Sequence, residues 1–169
     1  MNIKRKRVVL LLILVSTCAI LVSAWFFSNF NVKVTKEFQK METAKIRIVN
    51  DENQVLELEV KVADEPDERA AGFQNISRSI LEKTLILFVF PSEINALFHM
   101  RNVEASLDIA FIKANGTIIG IMRMDPSPTK LYGVNESFKY VIEAPAGFFE
   151  GKGIRSERSR LTVESLPTS

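Results

Sequence analysis

Hydrophobic and polar residues follow three rhythms along this chain. Val8 to Phe27 is an unbroken run of 20 uncharged residues, VVLLLILVSTCAILVSAWFF. At about 1.5 Å per residue, a helix of that length just crosses a hydrocarbon core of about 30 Å. From Gln54 to Val62 the rhythm is strict alternation. Leu56, Leu58, Val60 and Val62 take one face and Glu57, Glu59 and Lys61 the other, which predicts a half-buried strand. Leu85 to Phe90 (LILFVF) is apolar at every position, so it predicts a central strand covered on both faces and ended by Pro91.

Around these runs the remaining elements fall into place. Lys45–Val49 alternates and is followed by Asn50-Asp51-Glu52-Asn53, a turn composition that predicts a hairpin with the strand after it. Asp64 to Gly72 reads as a short helix, with Asp64 as its cap, Pro66 in the first turn and Gly72 as its left-handed stop. Strands are predicted at Ala96–Met100 and Leu107–Lys113. Ala114-Asn115-Gly116 makes the sharpest hairpin signal, turning into Thr117–Met124. A loop to about Asn135, a strand at Phe138–Glu143, a helical turn within Pro145–Gly151 and a closing strand at Leu161–Glu164 complete the chain. Many short strands with short helices predict an α+β fold, a compact, mostly antiparallel and barrel-like β domain. In domain terms, residues 1–7 are a basic tip, 8–27 an anchor or signal segment, 28–44 a tether, with a first strand at its end as the alternative, and 45–166 the folded domain.

Charge changes the picture at the N-terminus. Lys4, Arg5, Lys6 and Arg7 precede the apolar run, and no cation follows it until Lys33. This bias places the N-terminus in the cytoplasm and the domain outside, with the bilayer contacted through residues 8–27 of a single-pass anchor. The alternative is a signal peptide cleaved after Val22-Ser23-Ala24, giving a secreted or periplasmic protein. A lipid on Cys18 fits poorly, because apolar sequence rather than a polar tether follows it. Beyond residue 30 the chain carries 18 basic and 20 acidic residues, so no nucleic-acid partner is expected. Cys18 is the only cysteine, so the exported part holds together without disulfides.

Candidate chemistry is sparse. His99 is the sole histidine, no nucleophile-elbow or phosphate-cradling motif accompanies it, and no zinc-ligand spacing occurs. No metal or cofactor is expected. Asp108 and Glu143 interrupt apolar strands, in LDIAFI and YVIEA. A carboxylate in such a strand faces solvent or is held by a partner, because an unpaired buried charge is costly. Arg69 and Arg101 are the cations considered as partners, with Asp108 expected to be the more structural carboxylate and Glu143 the more exposed.

The stretches EVKVADEPDERAAGF (59–73), LILFVFP (85–91), FHMRNVEASLDIAFIKANGTI (98–118) and YVIEAPAGFFEGKGI (140–154) stand in an order that resembles the domain-of-unknown-function 192 family, also called uncharacterised protein family 0127. The resemblance implies a compact, mostly antiparallel β domain, often behind a signal or anchor, and implies no reaction. Asp64, Arg69, Asn102, Asp108 and Glu143 are the polar positions that match its pattern, with Gly72, Gly116 and Gly147 as backbone positions. The chain departs from the pattern at Phe73-Gln74 (usually Leu-Met), His99 (Trp), Val103 (Thr) and Ser106 (Pro), and lacks the usual Gly-Asp near Glu157-Arg158.

Together these features predict a membrane-tethered extracytoplasmic module that binds a small ligand or an envelope component without catalysis. The candidate surface is Arg69, His99, Asn102, Asp108 and Glu143. Two other readings remain open. One is a hydrolase using Asp108 and Glu143 as acid and base. The other is a purely structural envelope protein.

Overall fold

The computed structural model of the chain describes residues 13–23 and 32–162. The chain divides after Val32 into two units. In the first, residues 13–23 are helical and exposed (α1). The hydroxyls of Ser16, Thr17 and Ser23 donate to the carbonyls of Ile13, Leu14 and Ile20 at 2.8–2.9 Å. Among the described residues no helix is long and apolar enough to cross a membrane. The remainder of the expected 8–27 span lies outside the described residues.

The second unit is a seven-stranded sheet with a two-stranded ribbon beside it. The main strands are β1 (Glu42–Val49), β2 (Val55–Ala63), β3 (Ile86–Ile94), β5 (Leu107–Ile112), β6 (Ile118–Met124), β8 (Phe138–Pro145) and β9 (Arg160–Leu161). Their spatial order is β6-β5-β8-β3-β2-β1-β9, and every adjacent pair but β2–β3 is antiparallel. A bridge between Thr117 and Arg160 brings the two edges together, so the sheet is nearly closed like a barrel. The β2–β3 crossover carries two helices, α3 (Pro66–Ala71) and α4 (Arg78–Leu81). The ribbon pairs β4 (Phe98–His99) with β7 (Leu131–Tyr132).

Alternation sorts the apolar side chains into two cores. Ile46, Ile48, Leu58, Val60, Leu87, Ala110, Ile142 and Ala144 belong to one. Ile86, Phe88, Ile109, Phe111 and Val141 belong to the other, where α2 (Lys36–Lys40) contributes Phe38 and α4 contributes Leu81. β8 is therefore covered on both sides along most of its length, β5 along all six residues, and β3 over its first three, Ile86 to Phe88. The expected central LILFVF strand is β3, fourth of the seven.

Several expectations need correction. The 28–44 tether is folded at its C-terminal end. Thr35 caps α2 by accepting from the Phe38 N–H at 3.2 Å, and Phe38 and Met41 are buried. Two apolar residues among polar ones were too few to register as a periodic pattern. Pro91 does not end β3, which runs to Ile94. The ladder shifts register between Val89 and Ile94, so Pro91 falls in the interruption, where its missing N–H leaves no gap. Asp64 does not cap α3. Glu65 occupies that position, its N–H donating to the Glu68 carboxylate at 3.4 Å. The 96–100 strand shrinks to Phe98–His99, paired with residues expected to be loop.

The Asn50 turn forms as the sequence predicts. The buried Asn50 side chain accepts from the N–H groups of Glu52 (3.0 Å) and Gln54 (2.9 Å) and donates to the Lys152 carbonyl at 3.1 Å, tying the β1–β2 hairpin to the loop before β9.

Burial of Phe38 makes the N-terminal limit of the domain testable. In urea unfolding of a fragment spanning residues 33–162, Phe38→Ala should lower stability by about 3 kcal/mol. An unchanged midpoint would return residues 33–41 to the tether.

Candidate functional site

Asp108 lies in β5 opposite Arg123 of β6 and Ala144 of β8. Its carboxylate accepts from Arg123 Nε, from Arg123 Nη2 at 3.5 Å, and from the Gly147 N–H at 2.6 Å. Gly147 has φ +87°, a conformation that costs glycine little. It opens α5 (Phe148–Gly151) and turns its N–H onto the carboxylate. Asp108 thus pins two strands and the β8–α5 turn, as a structural carboxylate should. Its partner is Arg123, not Arg69 or Arg101.

Glu143 has the opposite surroundings. It lies in β8 between Ile86 of β3 and Ile109 of β5. Only 5% of the residue is exposed, so the expectation that it is the more open carboxylate fails. The reason is that β8 continues to Pro145 and is flanked by strands on both sides. No hydrogen bond or ion pair reaches the Glu143 carboxyl among the described residues. Burial alone raises its pKa to about 8. The group is therefore largely a neutral acid at pH 7, carrying an O–H donor.

The Glu143 carboxyl faces a cavity of about 300 Å³ lined mainly by apolar side chains. Phe88 and Phe90 come from β3, and Leu97 and Phe98 from the ribbon side. Phe88 and Phe98 meet edge to face, with centroids 5.5 Å apart. Gly72 and Phe73, just after α3, close one wall. Gly72 has φ +47°, and a Cβ there would stand 3.4 Å from Phe88 and 3.7 Å from Glu143 Oε2. A side chain at residue 72 would thus be strained by its backbone conformation, with its Cβ in ordinary contact with the ring and the acid.

Arg69 sits on the α3 wall. Its Nη1 donates to the carbonyls of Asp64 and, at 3.0 Å, Val89. Its guanidinium lies over the Phe90 ring, 5.5 Å from the centroid. These contacts fix the side chain through one nitrogen and the ring face, while Nε and Nη2 have no protein acceptor among the described residues. His99 lines the same cavity, half-buried, and its buried Nδ1 has no hydrogen-bond partner.

Of the five sequence candidates, Arg69, His99 and Glu143 come together. Asn102 does not. It is exposed at φ +57°, its carbonyl accepts from the Asn75 N–H at 2.8 Å, and it borders a separate depression with Arg101 and Pro126. Asp108 does not either. Adjacent register positions place Asp108 beside Ala144 and Glu143 beside Ile109, so the two carboxyls leave the sheet on opposite faces. An acid–base pair made of these two groups is ruled out by that geometry. The phenylalanines of the walls were missed as site residues, because aromatic residues in apolar runs carry no signal that separates a cavity wall from a core.

Comparison with known proteins agrees with this architecture. The DUF192 family model, described as "Uncharacterized ACR", matches residues 47–160, and the chain belongs to that family. A UPF0127 protein of Pyrococcus abyssi is 29% identical over 101 residues, which is 59% of this chain and 83% of that protein. A crystal structure from Sinorhizobium meliloti 1021, provisionally described as a transcription regulator, has a TM-score of 0.67 at 25% identity, covering 75% of this chain and 97% of its own. A protein of unknown function from Novosphingobium aromaticivorans DSM 12444 has a TM-score of 0.63 at 17% identity, covering 78% and 93%. The last likeness is one of fold alone.

Stability against pH should separate the two carboxyls. Below the ordinary value of 4.5 Glu143 is neutral folded and unfolded. Between there and about 8 the unfolded chain releases the proton and the folded chain keeps it, so stability falls as pH rises, and the loss is complete above the folded value. In chemical unfolding at pH 9, Glu143→Gln should exceed the wild type by about 2–5 kcal/mol, with the difference vanishing near pH 4. Asp108→Asn should instead cost about 1–3 kcal/mol at neutral pH. A destabilised Glu143→Gln at pH 9 would mean an unrecognised partner for that carboxyl.

Proposed function

We propose that this protein is a membrane-tethered extracytoplasmic module that binds a small ligand, with an apolar body and a polar group, in the cavity between α3, β3, the β4–β7 ribbon and β8. The observation that carries the binding reading is the buried Glu143 carboxyl, which faces an aromatic cavity without a protein partner. An unsatisfied buried polar group costs free energy that a ligand can recover. Arg69 adds free N–H donors, and His99 a ring nitrogen without a partner. Concave, mostly apolar sites with a few convergent polar groups are the common form of small-molecule sites, and about 300 Å³ falls at the small end of their range. Among the described residues no second carboxyl lines the cavity with Glu143, and Asp108 leaves the sheet on the other face, which weighs against a two-carboxylate hydrolase.

The tether rests on the sequence of residues 8–27 and the four cations before it. The provisional description of the S. meliloti relative as a transcription regulator is not carried over. Beyond residue 30 acids outnumber bases, whereas affinity for a polyanion comes from clustered cations.

Two measurements test the reading. The protein should stay in the membrane fraction through an alkaline carbonate wash and be cut by protease added outside; a soluble product beginning at Trp25 would replace the tether with a cleaved signal. Backbone NMR of residues 33–162, with a panel of water-soluble anionic, neutral and cationic fragments, should give shifts clustered at Gly72, Phe88, Phe98 and His99. Ala96→Trp, which fills the cavity, should abolish them. A panel without any such cluster would contradict a binding role.

A further inference from the structure

The polar groups around the cavity differ in what they offer a ligand. Arg69 presents Nε and Nη2 as donors, its Nη1 being occupied by backbone carbonyls. Glu143, buried in β8 with no cation paired to it, is a neutral acid at pH 7 and presents an O–H. The titratable groups that face the cavity are these two and His99, from α3, β8 and β4. The neighbouring strands add only apolar side chains at this point: Ile86 and Phe88 from β3, and Ile109 from β5.

Two donors on an apolar wall, one of them permanently positive, match a ligand group that only accepts and carries negative charge. A cation would be repelled by the Arg69 charge and, with Glu143 protonated, would find no negative group to offset it. A neutral amide would satisfy the donors but gain nothing from the guanidinium charge. The walls set the rest of the ligand, since Phe88, Phe90 and Phe98 suit a planar ring or a branched aliphatic body.

Resting on the binding reading above, we propose that the cavity takes a small monocarboxylate with an aromatic or branched aliphatic body. One carboxylate oxygen accepts from the free N–H groups of Arg69 and the other from the carboxyl O–H of Glu143. Such a carboxylic acid–carboxylate hydrogen bond forms only while Glu143 holds its proton. Above pH 8 the pocket acid ionises and repels the ligand, so affinity is lost.

The test uses the full chain in lipid nanodiscs and three isosteric probes read by calorimetric titration: benzoate, benzamide and benzylammonium. Benzoate should bind about tenfold or more tightly than either other probe at pH 7. Its affinity should fall about tenfold between pH 7 and pH 9 as Glu143 loses its proton. Glu143→Gln keeps a donor in place and cannot ionise, so it should retain benzoate binding and remove the pH step. Preferred binding of benzamide or benzylammonium would overturn the carboxylate assignment while leaving a ligand site in place. A pH step that survives Glu143→Gln would overturn the role of Glu143. Failure of all three probes, in a protein whose backbone shifts respond to no other fragment, would remove the binding reading itself.

Discussion

A strand covered on both faces gives a charged side chain no water on either side. β3, β5 and β8 meet that condition at the middle of the sheet, and two carboxyls sit within it. Each must find a partner, lose its charge or open to a cavity. Asp108 takes the first course, with Arg123 and the Gly147 N–H. Glu143 takes the other two, a neutral acid beside a cavity. One step of register decides between them, because neighbouring positions on a strand project to opposite faces.

Much of this frame was legible in the sequence. The alternation at 54–62, the saturated LILFVF run and the Asn-Gly turn give two strands and a hairpin close to where they form. The Asp108 partner was not legible, for a specific reason. Counted back from the turn in even register, Asp108 would face Met122. A register shift between Phe111 and Ile112 moves it one residue on, to Arg123. The packing of α2 was hidden because a helix of five residues with one buried side chain leaves no periodic trace. The site was half legible. Arg69, His99 and Glu143 stood out by residue type, but their meeting depends on the β2–β3 crossover folding α3 over the β3–β8 pair.

Membership of the DUF192 family supplies a fold and no reaction, so the chemistry must come from this chain's own cavity. Phe73, Gln74, His99 and Val103, four of the positions where the residues depart from the pattern that the family resemblance implies, all line that cavity. Glu143 and Arg69, which match the pattern, supply its charge and hydrogen-bonding groups.

The central claim is that Glu143 is a neutral acid at physiological pH because it is buried without a partner. A carbon-13 NMR titration of the glutamate carboxyls, with Glu143 assigned by its loss in Glu143→Gln, reads this directly. The resonance should titrate with a midpoint near pH 8. A midpoint near the ordinary value of 4.5 would show a solvated or paired carboxylate and contradict the account.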